Sequence, residues 1–469
     1  MSDSLREKIF RHAITAAVLL MVFCWSAAKV VAAGNQGGHS SGPLSGEKAP
    51  QVEQSLLPQE LWELLRSGET EKTLPGGSNL VLSIDKDLQA EVFNLFRRYD
   101  PPYGAFVAME PSTGRVVALV GYKQGGKSDP WLALKAIYPA ASLIKVITAA
   151  AAVELGGVSP NDEIRYKGGI YGISRTGIRS DAGNYSMTLE EAIARSANSV
   201  FGKVTVRDVG APALGVYLEK FGFGMHIPFD MPVEPSHAIV PRDEYELART
   251  GAGFGEVYVS PLHMAMMMSA LASDGPMPQP FLIDRIEDGD GYVAYESAPL
   301  KFKDTVNPET AQAVVRMMVK TIEMGTSRRA FGTPDRTPLL QDMEVAGKTG
   351  SLSGWTPPLR FEWFTGLAPV DLPKLALATF VANDDRGKIK GSYVGKEAFS
   401  FYFGYPSSEP PAYYAKSKRK TVRNVSKASN KKVVKPGKKK KPNVRRDSSS
   451  ARIVFAELPP DASGPRVHH

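Results

Sequence analysis

Three residues separate Ser142 from Lys145 in Pro139-Ala140-Ala141-Ser142-Leu143-Ile144-Lys145, and no Pro or Gly follows until Gly156 and Gly157. The stretch therefore reads as one buried, Ala-rich helix with Gly at its C-terminal stop. On a helix that spacing sets hydroxyl and amine on one face, within reach of each other. Ile, Val and Ala line the face, and desolvation disfavours an ammonium, so the lysine is pushed toward the neutral form that accepts a proton. The helix start adds free N–H groups and partial positive charge, which favour an alkoxide or oxyanion. A nucleophile and its base is the chemistry this pair offers. Taken alone, the same spacing also describes a helix cap beside a solvated lysine.

Other chemistries find less support. Gly347-Lys348-Thr349 invites a nucleotide reading, but a phosphate loop needs glycine where Asp342 stands. Gly251-Ala252-Gly253-Phe254-Gly255 lacks the full dinucleotide pattern and reads as a loop that hugs other backbone. The seven histidines (His12, His39, His226, His237, His263, His468, His469) are scattered, and the one cysteine, Cys24, lies in an apolar N-terminal run. No metal site, disulfide framework or cofactor is expected.

The elements that must position these residues follow from pattern. Leu80-Val81-Leu82-Ser83-Ile84 reads as a strand, after which Asp85 caps a helix through Leu88, Val92, Phe93 and Phe96. Residues 104–109 and 115–120 form two strands joined by Glu110-Pro111-Ser112-Thr113-Gly114, a hairpin turn. Thr188-Leu189-Glu190-Glu191 has capping-box spacing and opens a helix leading to Arg195-Ser196-Ala197-Asn198. A methionine-rich helix follows Pro261, its methionines filling core. Strands over 343–353, 363–368 and 375–381 close the body.

The 469 residues, 43% hydrophobic, suit one large or two ordinary domains. Arg6, Lys8 and Arg11 precede an apolar run that, extended past Lys29 to Ala33, is 21 residues long and matches a membrane span. Residues 1–33 are expected to be a cytoplasmic arm and signal anchor, with a cleaved signal peptide as the rival. With the anchor kept, the protein is single-pass in the inner membrane; either way the body is exported into the periplasmic or extracytoplasmic space. Residues 34–78 read as a linker with a short helix over 55–67, 79–405 as the catalytic domain, 406–450 as a basic disordered tail, and 451–469 as a C-terminal segment. Between Pro411 and Arg446 stand 15 Lys and Arg and no acid, so the overall charge of +8 hides an acidic body. Such a run is often merely solvated; otherwise it suits anionic lipids or acidic envelope polymers rather than nucleic acid.

Three motifs in order, Ser142-x-x-Lys145, Ser196-x-Asn198 and Lys348-Thr349-Gly350, resemble those of the penicillin-binding transpeptidase and serine β-lactamase family. Pro111-Ser112-Thr113-Gly114, Gly253-Phe254-Gly255 and Trp363-Phe364-Thr365-Gly366 add to the resemblance, which covers roughly 79–404. It implies an α+β fold, a five-stranded antiparallel sheet flanked by helices, plus an all-α lobe carrying Ser196. It further implies an acyl-enzyme on Ser142, formed from peptidoglycan stem peptides ending in D-Ala-D-Ala, with β-lactams as inhibitors. Lys145 would take the hydroxyl proton and Ser196 relay one to the leaving amine. Asn198, Lys348, Thr349 and Gly350 would hold substrate, and the N–H groups of Ser142 and Ser351 would form the oxyanion hole. Transpeptidation is the leading activity. D,D-carboxypeptidase or endopeptidase action, a β-lactamase-like enzyme, and a non-catalytic cell-wall scaffold or β-lactam sensor are the alternatives. There is no room between residues 34 and 78 for a glycosyltransferase or pedestal module.

Overall fold

The computed structural model describes residues 57–332, 340, 342–354, 358–384, 387 and 389–407. The expected anchor (1–33), most of the basic tail and the segment 451–469 lie outside the described residues. Among the described residues no helix is long and apolar enough to cross a membrane.

In chain order the elements begin with α1 (Leu57–Ser67), β1 (Glu71–Thr73), β2 (Asn79–Leu82), α2 (Lys86–Tyr99), β3 (Tyr103–Met109), β4 (Val116–Lys123) and β5 (Lys127–Ser128). Next come β6 (Tyr138–Pro139), a 3₁₀ turn (Ala141–Leu143), α3 (Ile144–Glu154), β7 (Glu163–Tyr166), β8 (Tyr185–Thr188), α4 (Leu189–Arg195) and α5 (Asn198–Val204). A π-helical turn (Thr205–Val209) leads to α6 (Gly210–Lys220), β9 (His237–Ala238), α7 (Glu244–Ala252), β10 (Val257–Val259) and α8 (Pro261–Ala272). The chain continues through β11 (Pro276–Pro278), β12 (Ile283–Glu287), β13 (Val293–Glu296), β14 (Lys301–Asp304), α9 (Pro308–Glu323) and α10 (Arg328–Phe331). It ends with β15 (Ala346–Ser353), β16 (Arg360–Ala368), β17 (Leu375–Asn383) and α11 (Gly391–Tyr402).

The main sheet has the order β15-β16-β17-β3-β4-β5 and is antiparallel throughout. Five long strands match the expected sheet, and the two-residue β5 adds a sixth at one edge. One face packs on α2 and α11, through Leu88, Val92, Phe96, Phe106, Phe364, Leu377, Val394 and Phe399. The close fit has a visible cause: Gly395 lies so near the Phe364 ring that a Cβ there would sit 2.4 Å from it. The methionine-rich α8 packs against β3, β16 and β17 on the opposite face; Met264, Met266, Met267 and Met268 are all buried core.

Helices α3 to α7, with α9, make the second lobe. It is mostly rather than wholly helical, because β7 and β8 form a ribbon and β6, β10 and β9 a small sheet. In α3 Ala149 to Ala152 are fully buried, as close helix packing demands. Segment 57–78 packs on the domain: Leu61, Leu64 and Leu65 of α1 are buried, and β1 pairs with β2. A separate four-stranded sheet, β1-β2-β12-β13, ends on β13, whose four residues are all exposed. Tyr292, Val293 and Tyr295 stand out from this hairpin into solvent.

Candidate active site

The nucleophile is held from two sides. β10 pairs with β6 just before the Ser142 turn, and Ala140 N donates to Val257 O at 2.8 Å. From the main sheet, Trp363 Nε1 donates to Pro139 O at 2.9 Å. Between these supports the backbone turns sharply: Ala141 has φ +48°, a left-handed conformation that a side chain disfavours by roughly 1–2 kcal/mol. Ser142 therefore sits in a 3₁₀ turn ahead of α3 rather than in the first α-turn that pattern suggests. Gly253 (φ +106°) presses on this turn; a Cβ there would lie 2.5 Å from the Ala141 carbonyl and 2.8 Å from Ser142 N. The loop 251–255 does hug backbone, and the backbone it hugs is the nucleophile's.

Lys145 is fully buried. Its Nζ lies 2.9 Å from Ser142 Oγ and 2.9 Å from Asn198 Oδ1, and it also donates to Ala252 O. Burial, reinforced by the charge of Lys348, holds its pKa well below the ordinary lysine value. Donor counting then assigns directions. A neutral amine has two N–H groups and one lone pair. The two carbonyl oxygens can only accept, so they take the N–H groups and leave the lone pair for the Ser142 hydroxyl. The Phe201 ring, 5.7 Å from Nζ, closes the remaining side.

Lys348 is also fully buried, on the edge strand β15, and desolvation brings its pKa down to about 7. Its Nζ donates to Ser196 Oγ at 3.0 Å and to Thr349 O at 2.9 Å. Ser196 ends α4 in a left-handed conformation (φ 55°), and α5 starts at Asn198, which turns both side chains toward the two lysines. Thr349 Oγ1 lies 2.6 Å from Thr326 Oγ1. A Cβ on Gly350 would sit 3.3 Å from Ala140 O and from Leu143, so a larger residue would crowd the Ser142 turn. Ser351 Oγ donates to Glu362 Oε2 at 2.8 Å, placing its hydroxyl on β16.

The structure thus brings Ser142, Lys145 and Asn198 into one hydrogen-bonded group, and Ser196, Lys348 and Thr349 into a second. Ser196 and Asn198, two positions apart in the chain, link the groups covalently. Pattern reading missed the Ala252 carbonyl, a backbone group whose identity no side chain reveals, and Thr326, which has no motif around it. Among the described residues no His, Cys, Asp and Glu cluster has the makings of a metal site.

Residues 104–400 match the family model described as the penicillin binding protein transpeptidase domain. The chain belongs to that family. Over 345 residues it is 25% identical to the peptidoglycan D,D-transpeptidase PbpA of Mycobacterium tuberculosis strain H37Rv, covering 66% of this chain and 68% of the relative. It is 26% identical over 381 residues to the peptidoglycan D,D-transpeptidase MrdA of Haemophilus influenzae, covering 70% and 56%. Among solved structures, the D,D-transpeptidase domain of a peptidoglycan glycosyltransferase from Eggerthella lenta superposes with a TM-score of 0.60 at 23% identity, over 74% of this chain and 86% of the other. The penicillin G acyl-enzyme complex of M. tuberculosis penicillin-binding protein A gives 0.59 at 24%, over 70% and 81%. These likenesses agree with the observed antiparallel sheet and helical lobe.

Proposed function

We propose that the chain is a penicillin-binding D,D-transpeptidase that works through an acyl-enzyme on Ser142. The observation that carries this is a fully buried amine at 2.9 Å from the hydroxyl, its pKa held well below the ordinary lysine value by burial, with two carbonyl oxygens also in hydrogen-bond contact with it. Lys145 takes the proton as Ser142 Oγ bonds to the carbonyl carbon of the penultimate D-alanine in a stem peptide. The N–H groups of Ser142 and Ser351 receive the negative charge that develops on the carbonyl oxygen, a contribution of about 10² to 10³ in rate. Collapse breaks the amide bond and leaves an ester on Ser142. Ser196 relays the proton taken up by Lys145 to the departing amine of the terminal D-alanine, which returns Lys145 to its neutral form, while the terminal carboxylate is held by Lys348 and Thr349. An acceptor amine then attacks the ester, and its proton returns through Lys145 to Ser142. A β-lactam enters the same first step and stays attached.

A fluorescent penicillin tests this directly. Wild type should label covalently and Ser142→Ala should not; a wild type that never labels refutes the reading. Muropeptide analysis then separates crosslinked dimers, expected here, from trimmed tetrapeptides.

Sequence supports two further parts of the reading. The apolar run to Ala33 tethers the domain to the inner membrane with its body outside, and the basic run 411–446 holds anionic lipid headgroups or acidic envelope polymers. Deleting residues 416–446 should weaken salt-sensitive envelope association; unchanged binding at low salt removes that part.

A further inference from the structure

Residues 167–184 connect β7 to β8 and pass beside Asn198, and α5 fastens this loop at two places. At the first, Ser199 N and Oγ donate to Ile170 O at 3.1 and 3.3 Å, and Asn198 Nδ2 donates to Tyr171 O at 3.1 Å. At the second, Lys203 donates to Arg165 O at 2.8 Å and to Ser180 O at 2.7 Å, with Asp181 Oδ1 at 3.2 Å. Lys203 is fully buried. Its three donors meet three acceptors, so the ammonium is satisfied and plays no part at the reacting atoms. What it joins is informative: Arg165 lies in β7 just before the loop, Ser180 and Asp181 near the loop's end. Arg207 adds a second cation on Asp181 at 3.0 Å and is itself paired with Asp208 at 3.0 Å.

We propose that Lys203 is a positioning residue: by closing the 167–184 loop onto α5 it fixes which way the Asn198 amide faces, and so where the Lys145 lone pair points. The proposal rests on the acyl-enzyme reading above. An asparagine amide offers an acceptor at Oδ1 and donors at Nδ2. Tyr171 O can only accept, so it selects Nδ2 and turns Oδ1 toward Lys145. If the loop withdraws, the amide is free to reverse. Nδ2 then donates to Nζ and takes the lone pair that otherwise faces the Ser142 hydroxyl. The other groups around Nζ are Ser142, Ala252 O, the Phe201 ring and the charge of Lys348; no carboxylate among the described residues pairs with it.

The test is Lys203→Met in the full chain, followed by the time course of fluorescent penicillin acylation across pH. The limiting acylation constant should fall about tenfold while noncovalent affinity for the penicillin changes less than about threefold. The acid limb of the profile should move to lower pH, because an amide N–H facing Nζ disfavours the ammonium. Ser199→Ala loosens the other fastening and should move both readouts the same way by less, which keeps the test decisive if the buried methionine prevents folding. A folded Lys203→Met with a lower Tm but wild-type limiting constant and acid limb overturns the proposal, as does an unchanged Ser199→Ala when the methionine variant does not fold. A wild type that fails to label overturns this and the acyl-enzyme reading together; a labelling wild type with unmoved variants overturns only this one.

Discussion

Gly253→Ala is expected to cripple acylation without touching any side chain of the site. Gly253 has φ +106°, where an alanine costs roughly 1–2 kcal/mol in backbone strain alone. The added methyl would lie 2.5 Å from the carbonyl of Ala141 and 2.8 Å from Ser142 N. Ordinary carbon contacts are about 3.5–4.0 Å, so the nucleophile's backbone must withdraw by about 1 Å. The neighbour cannot yield cheaply, being backbone held by Val257 O and by Trp363 Nε1. Misplacing a reacting group by ~1 Å costs about 10²-fold in rate, which corresponds to about 2.7 kcal/mol of barrier. The assay is the second-order acylation constant with fluorescent penicillin, beside a thermal melt. We expect a fall of about 100-fold and a Tm lower by several degrees. Gly215→Ala is the control, since a Cβ there meets nothing within 4 Å and a helical alanine is favoured by about 1 kcal/mol. A Gly253→Ala variant that acylates within threefold of wild type would refute the argument that this glycine sets the position of Ser142.

Two pH dependences follow from buried bases. Lys348 releases its proton at about 7 when folded but near 10.4 when unfolded, so between those values the unfolded chain binds more protons and stability rises with pH. Melts from pH 7 to 9.5 should show Tm climbing, and Lys348→Met should climb less; an identical slope in the variant counts against a buried Lys348. His263 is fully buried with Nε2 at 2.7 Å from Phe221 O, and burial lowers its pKa to about 4. Its contribution is present above about 6.5 and lost as pH falls toward 4, a total of about 3 kcal/mol. Denaturant unfolding at pH 7 and pH 4.5 should show a smaller acid loss in His263→Gln than in wild type.

Much of the site was legible because its chemistry needs particular side chains at fixed offsets. Ser142 and Lys145 are three apart, Ser196 and Asn198 two apart, and Lys348 precedes Thr349 and Gly350. Strands β3, β4, β16 and β17 were legible from apolar runs punctuated by turn residues, and α4 from the Thr188 cap, whose Oγ1 accepts from Glu191 N at 3.1 Å. What stayed hidden was backbone work. The left-handed Ala141 carries no glycine to announce it, because surrounding contacts rather than local preference impose the turn. The Ala252 carbonyl is invisible in a side-chain alphabet. Strands β12 to β14 are only four or five residues long, β12 being half-buried along nearly its whole length and β13 exposed along all of it, so they show none of the alternation that marks a strand with one buried face. Lys203 has no motif around it in the sequence; only its burial against Arg165 O and Ser180 O reveals a clasp.

The hairpin β12–β13 has a practical consequence for anyone who concentrates this protein. Its outer strand is an open ladder rung flanked by Tyr292, Val293 and Tyr295, a surface that sticks to any like edge it meets. What keeps copies apart is like charge: Asp288 and Asp290 stand together at the tip, with no Lys or Arg between residues 286 and 300. High salt mutes that repulsion, so turbidity should first emerge there, well before the catalytic lobe melts.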